Sequence, residues 1–164
     1  MPQRKANEKM IRYLLSVDPG KASGICLFEL SAGEEPILLS SGEYQQNEYA
    51  KPIREALSLS LDKGIELEIV CERFIINAQT VRNSQAPYSL EQIGILKQCL
   101  MDSGYEAEKI VFQSPADAKA MFDNPKLKKL GYWHKGGEGH ALDSIRHALL
   151  RFAKTGWKPT RLLN

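Results

Sequence analysis

From residue 11 to residue 44, short apolar stretches alternate with turn-forming residues, as they do in a series of β-strands. The pattern predicts strands over 11–17, 24–30 and 37–44. A tight turn at Pro19-Gly20 follows the first strand, which ends on an acid, Asp18. We therefore expect the chain to open with three antiparallel strands, and a carboxylate to lie beside the first turn.

Beyond residue 45 the apolar spacing changes to the period of a helix. It predicts a helix over 50–62, followed by an apolar strand over 67–74 that carries Glu72 near its end. The next segment, 77–87, is polar and irregular. The chain thus contains two apolar strands, far apart in sequence, that each end close to an acid.

The following region predicts shorter elements. Ser89 and Gln92 have the spacing of a capping box, so a helix is expected to begin there. A short strand over 109–112 and a short helix over 114–121 come next. The stretch 122–139 has no clear period. Its glycines, lysines and aromatic residues are typical of a mobile basic loop that stacks on bases and reaches phosphates, and a plain surface loop fits as well.

The last predicted helix, 140–154, is amphipathic, because its apolar side chains gather on one side at about 100° per residue. The other side carries His140, Asp143, Ser144 and His147, with Arg151 one turn further on. The order of elements is β-β-β-α-β-α-β-α-α. It predicts an α/β fold in which a mixed sheet has helices on both faces.

Composition is consistent with one ordinary domain. The chain has 164 residues, of which 43% are hydrophobic and 26% charged. We expect a flexible polar leader over 1–10, the domain over 11–154 and a basic tail over 155–164. No apolar run approaches the length of a membrane span, so no membrane association is expected. The three cysteines are widely spaced and form no C-x-x-C pair, which argues against structural zinc and favours a cytoplasmic location.

Charge is distributed unevenly although the net charge is only +2. Residues 1–111 contain 12 Lys and Arg against 16 Asp and Glu, whereas residues 112–164 contain 10 against 4. A basic C-terminal third is typical of proteins with a polyanionic partner. Solvated surface lysines would give the same count, so this signal is weak by itself.

The acids become informative when they are taken together. If the strands that carry Asp18 and Glu72 are adjacent and parallel, the two carboxylates meet at one edge of the sheet. His140 and Asp143 lie three residues apart on one helix face, and that helix could bring them to the same edge. Clustered acids repel one another unless a cation neutralises them. Mg²⁺ prefers carboxylate ligands, and two such ions would support in-line displacement at a phosphodiester.

Each residue also has a simpler interpretation. Asp18 could merely begin an Asx turn before Pro19, and strand-terminal acids are often just solvated. His147 could be a ligand, a proton donor or a bystander, and the pattern favours a bystander. His134 lies in the irregular stretch and has no assigned role. The joint arrangement nevertheless favours a metal site.

At these positions the chain resembles the RNase H-like nuclease superfamily, and within it the RuvC-type Holliday-junction resolvases, particularly the RuvC-like proteins of phages. The resemblance is carried by three runs and covers roughly residues 11–154. The runs are SVDPG at 16–20 with SG at 23–24, VCERF at 70–74, and GEGHALD at 137–143.

This resemblance implies a five-stranded mixed sheet whose second strand is antiparallel. It also implies an endonuclease for four-way or branched DNA that depends on Mg²⁺, or on Mn²⁺ in its place, and needs no small-molecule cofactor. Asp18, Glu72 and Asp143 would be catalytic metal ligands. The family usually has two acids three residues apart on the last helix, and here His140 occupies the first of these positions. Some resolvases share that replacement, so His140 is expected to complete the catalytic ligand set.

The resemblance further implies a homodimer, formed in part by a helix over 87–103, with the segment 73–85 facing the junction. Lys119 falls where the family carries basic residues near the phosphates. We expect the DNA to be contacted by Arg73, Arg82, Lys119 and Arg151. If the protein is encoded by a phage, its location would be the host cytoplasm.

Three alternatives remain open at this point. A ribosomal-RNA-processing nuclease of the RuvC-like group would share the fold, although the long polar segment 77–87 favours DNA junctions. A catalytically silent binding module is disfavoured because Asp18, Glu72 and Asp143 are all present. A sugar-kinase or actin-like ATPase fragment also opens with an Asp-x-Gly hairpin, but such proteins need two domains of this kind.

Overall fold

A computed structural model describes residues 10–82 and 86–163. Five strands form one sheet within these ranges. They are β1 (Ile11–Asp18), β2 (Ala22–Ser31), β3 (Ile37–Gln45), β4 (Glu66–Glu72) and β5 (Val111–Gln113). The predicted leader, except for Met10, lies outside the described residues.

Within the same ranges there are six α-helices, and two short 3₁₀ turns lie at 107–109 and 160–162. The helices are α1 (Ala50–Lys63), α2 (Ala78–Arg82), α3 (Ala86–Asp102), α4 (Pro115–Met121), α5 (Asn124–Leu130) and α6 (His140–Lys154). In the part of the chain that the structure describes, no helix has the length and apolar character needed to cross a bilayer.

The strand order is β3-β2-β1-β4-β5. β2 is antiparallel to both of its neighbours, whereas β4 is parallel to β1 and to β5. This arrangement confirms the predicted five-stranded mixed sheet with an antiparallel second strand. Helix α1 connects β3 to β4 and carries the chain across the sheet, so that β4 lies beside β1 and parallel to it.

Alternate residues of each strand point to opposite faces of the sheet, and each face supports its own core. Leu15 and Val17 of β1 pack in a cluster with residues of α1 and α3. Leu14 of β1 and Val70 of β4 pack in a second cluster with α4, α5 and α6. Helices therefore cover both faces, as the sequence predicts.

The expectation of an irregular loop over 122–139 is wrong for its first half, where α5 forms. The Asp123 side chain accepts a hydrogen bond from the backbone N–H of Lys126 at 3.0 Å and caps the helix. Pro125 lies in the first turn, and Gly131 ends the helix with a φ of +83°. These capping signals are present in the sequence, but the density of lysines and glycines obscures them.

Aromatic residues beyond α5 also pack inward. The Tyr132 hydroxyl donates to the carbonyl of Pro36 at 2.6 Å, and its ring meets Phe28 edge to face with centroids 5.4 Å apart. Trp157, in the segment expected to be a basic tail, stacks on Phe122 with centroids 6.2 Å apart. Both rings thus pack against the second core, on the α6 face of the sheet.

The predicted capping box at Ser89 and Gln92 is wrong, because α3 begins three residues earlier, at Ala86. Ser89 therefore lies within the helix. Its buried hydroxyl donates to the carbonyl of Pro19 at 3.0 Å, and so ties α3 to the turn after β1.

Candidate metal centre

Asp18 and Glu72 end neighbouring parallel strands. The register pairs Val17 with Cys71, so the next residue on each strand is an acid at the same edge of the sheet. By the two-residue period, both acids share the face of Leu14 and Val70, which is the face covered by α6. This confirms the expectation that the two strands are adjacent and parallel, with both acids at one edge of the sheet.

Gly24 allows the first turn of α6 to approach this edge. It lies opposite Asp18 in the β1–β2 ladder. A Cβ atom built on Gly24 would lie 1.8 Å from the carbonyl oxygen of His140 and 2.2 Å from its carbonyl carbon. Since backbone cannot yield to such a contact, only glycine permits the strand and the helix to lie together here.

Three side chains form a close group at this point. Asp18, His140 and Asp143 each offer one ligand atom, and these atoms lie within 4.8 Å of one another. Asp18 Oδ2 lies 3.0 Å from His140 Nδ1. Asp18 is buried, whereas the other two are partly exposed. Glu72 stands outside this close group but lines the same cleft.

The electrostatics of the group favour a bound cation. Burial, together with repulsion from the nearby Glu72 and Asp143 carboxylates, raises the pKa of Asp18 to about 6 against the opposing effect of His140. The hydrogen bond to Asp18 raises the pKa of His140 to about 9. A divalent cation bound by His140 would displace the proton of that imidazole, because a metal ligand must be deprotonated.

Glu43 of β3 holds the loop that leads into α6. Its carboxylate accepts hydrogen bonds from the backbone N–H groups of Glu138 at 3.0 Å and His140 at 2.8 Å. Although partial burial acts to raise its pKa, these backbone donors lower the pKa of Glu43 below its ordinary value. Gly137 has a φ of +64°, and a Cβ there would lie 2.6 Å from this carboxylate. Nothing in the sequence distinguishes Glu43 from a surface acid.

Arg146 fixes the carboxylate of Asp143. The buried guanidinium donates from Nη1 to Asp143 Oδ1 at 2.6 Å and from Nε to the carbonyl of Phe122 at 2.8 Å, and it also donates to Asn124. Lys119 Nζ lies 3.6 Å from the other carboxylate oxygen. The i,i+3 spacing of Asp143 and Arg146 is visible in the sequence, but the burial of Arg146 is not.

The sequence favours a bystander role for His147, but the structure buries this side chain in contact with Glu72. Its Nε2 lies 2.9 Å from Glu72 Oε2, and its Nδ1 lies 3.3 Å from Gln113 Nε2. Ser144 is buried as well. The polar side of α6 thus faces the sheet edge and the acids, with His140 and Asp143 partly exposed.

The group opens into a cleft of about 830 Å³. Of the predicted DNA contacts, Arg73 and Lys119 line this cleft, together with Lys21. Arg82 is exposed at the end of α2 and does not line it. Arg151 lies near the far end of α6, where it pairs with Glu68, so the structure does not bring it to the cleft.

Comparison by sequence yields no relatives: no protein-family model matches the chain. No curated protein matches it either.

Comparison by structure identifies a shared fold. The chain is similar to Thermus thermophilus RuvC in complex with a Holliday junction substrate, with 17% identity and a TM-score of 0.61 over 88% of this chain and 96% of that one. It also matches the yeast mitochondrial Holliday junction resolvase Ydc2, with 15% identity and a TM-score of 0.47 over 84% of this chain and 75% of that one. The fowlpox virus resolvase matches with 13% identity and a TM-score of 0.46 over 89% and 99%. The similarity to RuvC shows that the two chains share a fold.

Proposed function

We propose that this protein is a divalent-metal-dependent endonuclease that hydrolyses phosphodiester bonds in four-way or otherwise branched DNA. The observation that carries this proposal is the convergence of Asp18, His140 and Asp143, with Glu72 beside them, in a cleft lined by basic side chains. Burial, and to a smaller extent repulsion by Glu72 and Asp143, makes the charged form of Asp18 costly, and a bound cation would offset that cost.

The donor set fits a small divalent cation. Asp18, Asp143 and Glu72 supply carboxylate oxygens, which Mg²⁺ prefers, and His140 adds an imidazole nitrogen that Mn²⁺ accepts readily. Held by these residues, one or two such ions would supply activation of the attacking water and charge stabilisation at the leaving oxygen. The structure supports this assignment because the acids converge on one cleft, where a cation would offset their mutual repulsion.

The basic side chains of the cleft would position the phosphate backbone. Lys119 is well exposed and stands 3.6 Å from Asp143, so its ammonium group can reach a phosphate beside the acids. Arg73 follows Glu72 directly and lies over the ring of Phe112. Such contacts hold a nucleic acid in place without reading its sequence. The basic C-terminal third adds a longer-range attraction.

The fold supports branched DNA as the substrate. RuvC of Thermus thermophilus, which has the same fold, has been solved with a Holliday junction substrate. The acids of this chain lie on the elements that the resemblance to RuvC-type resolvases assigns to catalysis. A phage-type resolvase is the form of this function that the sequence motifs favour.

A symmetric dimer would complete a resolvase, because two sites are needed to cut two strands of a junction. Helix α3 offers a surface for it. Leu90 and Met101 lie three helical turns apart on one side of α3 and are 49% and 54% exposed. A second copy of the chain packed on this side of α3 would cover both side chains.

The test is cleavage of a labelled synthetic four-way junction, with a fork, a flap, a matched duplex, a single strand and a structured RNA of similar size. Each is incubated with Mg²⁺, Mn²⁺ or EDTA. We expect paired, symmetric nicks in the junction with either metal and none in EDTA. Tight junction binding without cleavage under any metal would indicate a silent module, and cleavage of the RNA alone would indicate an RNA-processing nuclease.

A further inference from the structure

A fully buried imidazole lies behind the candidate metal centre. His147 of α6 is 1% exposed, and both of its ring nitrogens have partners: Glu72 on one side and Gln113 on the other. His140, Asp143 and His147 follow one another at i, i+3 and i+7, so they lie along one side of α6. The same helix therefore supplies two direct ligand candidates and a group that touches a third.

The contacts of Gln113 define which nitrogen of His147 carries the proton. The Gln113 side chain lies 2.8 Å from the backbone carbonyl of His147, which can only accept, so the group facing it is the amide nitrogen. That nitrogen also lies 3.3 Å from His147 Nδ1. Because an amide nitrogen only donates, Nδ1 must accept, and the ring proton is on Nε2.

The protonated Nε2 donates to Glu72 Oε2 at 2.9 Å. Gln113 is itself held next to Glu72, since the two residues are paired in the β4–β5 ladder. The backbone N–H of Arg73 donates to the Gln113 carbonyl at 2.8 Å. The chain of contacts from β5 through His147 to Glu72 is thus anchored by backbone at both ends.

We propose that His147 is a positioning residue: it holds one oxygen of Glu72 through Nε2–H and thereby aims the carboxylate into the cleft as a metal ligand. This inference rests on the proposed function, because it assigns Glu72 to the metal site. Partners of this kind orient a ligand before the ion arrives, and removing one typically lowers metal affinity about 10- to 100-fold.

The test compares two substitutions that replace the imidazole with an amide, each at a different distance from the helix. In His147→Gln the amide nitrogen reaches the position of Nε2 and can still donate to Glu72. In His147→Asn the shorter side chain reaches only the position of Nδ1, next to Gln113. Mn²⁺ affinity of the full chain is measured by calorimetry without DNA, and thermal unfolding is measured in EDTA. His134→Asn, at an exposed histidine outside the site, is the control.

We expect His147→Asn to bind Mn²⁺ about 10- to 100-fold more weakly than the wild type. His147→Gln should stay within about threefold, because it restores the donor to Glu72. A purely structural role would instead lower the melting temperature of both variants in EDTA without separating their Mn²⁺ affinities. That result, or equal Mn²⁺ affinity in all variants, would overturn the proposal.

Failure of the proposed function gives a different pattern. If the wild type binds Mn²⁺ but cuts no nucleic acid, the nuclease assignment fails. The Mn²⁺ affinities of His147→Gln and His147→Asn then still decide the role of His147. If the wild type cuts junctions and His147→Asn binds Mn²⁺ normally, only the role of His147 is overturned. A wild type that binds no Mn²⁺ would overturn both.

Discussion

Every acid of the candidate centre has its own protein partner. His140 contacts Asp18, Arg146 contacts Asp143, and His147 contacts Glu72. These contacts limit the repulsion among the carboxylates and fix their directions before any cation binds. The metal-free protein should therefore show a dependence on pH that comes from this group.

The Asp18–His140 pair makes a prediction about stability without metal. The pKa of His140 is raised from 6.5 to about 9, so its contribution is complete below pH 6.5 and is lost as the pH rises to about 9. The corresponding contribution of Asp18, whose pKa is raised from 3.8 to about 6, is already lost by pH 6.5. In EDTA the wild type should therefore lose stability between pH 6.5 and pH 9.

Denaturant unfolding of the wild type and Asp18→Asn at these two pH values measures the effect. The variant lacks the carboxylate that raises the pKa of His140, so it should lose less stability over the same interval. Groups that titrate elsewhere in the protein are common to both and cancel. Equal losses in the two proteins would contradict the assigned pair.

The sequence predicts the four central residues but not their partners. Asp18, Glu72, His140 and Asp143 can be identified because they stand at the ends of apolar elements in recognisable runs. Glu43 and Arg146 contribute through contacts across the fold, and contacts between distant segments leave no local pattern. His147 has the right helical spacing, but only the tertiary structure shows that its side of α6 is buried.

At the scale of elements, the site depends on how closely α6 approaches β2. The strands, their order and the helices on both faces follow from periodicity and turn signals, which act locally. The start of α3 and the presence of α5 were less predictable. In α3 a serine with capping-box spacing serves instead to bond Pro19, and in α5 the capping residues are hidden in a lysine-rich stretch.

Gly24→Ala tests the approach of strand and helix. The added methyl group would overlap the backbone of His140, so we expect destabilisation of about 1–3 kcal/mol or more. At about 2–4 °C per kcal/mol for a chain of this size, the melting temperature in EDTA should fall by several degrees.

The matched control is Gly94→Ala in α3. No heavy atom lies within 4 Å of a Cβ built there, so the single chain has room for it. Gly94 lies one turn from Leu90 on the side of α3 proposed for the dimer, so the wild type and both glycine variants are compared at a concentration at which light scattering shows monomers. Because alanine favours the helix by up to about 1 kcal/mol, this variant should unfold at the wild-type temperature or slightly above it. A Gly24→Ala protein as stable as Gly94→Ala would contradict the close backbone contact between β2 and α6.

At the scale of the whole molecule, the chain shares its fold with RuvC but matches no family model by sequence. The core positions are constrained only to be apolar and of suitable size, so sequences can diverge widely while the sheet is kept. The three short runs that contain Asp18, Glu72 and Asp143 meet at one cleft of this fold. Assembly of two copies is not encoded in such runs and needs its own test.

Light scattering tests the proposed dimer. We expect the wild type at micromolar concentration to have twice the 18.4 kDa mass of the chain. Leu90→Glu places a charge on the exposed side of α3 and should give the monomer mass, with unpaired nicks in the junction assay. Leu61→Glu, at a 59% exposed leucine on α1, should leave the dimer intact. A monomeric wild type, or a dimeric Leu90→Glu, would contradict an interface on α3.

The most direct test of the metal-dependent nuclease is a comparison of wild type and Asp18→Asn on one labelled four-way junction, with cleavage in Mg²⁺ and binding measured separately in EDTA. Asp117→Asn, at an exposed acid of α4, is the control. Bound ions supply several kcal/mol to the reaction, so we expect Asp18→Asn to cut about 100-fold more slowly or worse. Its junction affinity should stay within about threefold of the wild type, because phosphate contacts are retained. Undiminished cleavage by Asp18→Asn, or loss of binding in step with loss of cleavage, would contradict the assignment of Asp18 to the metal centre.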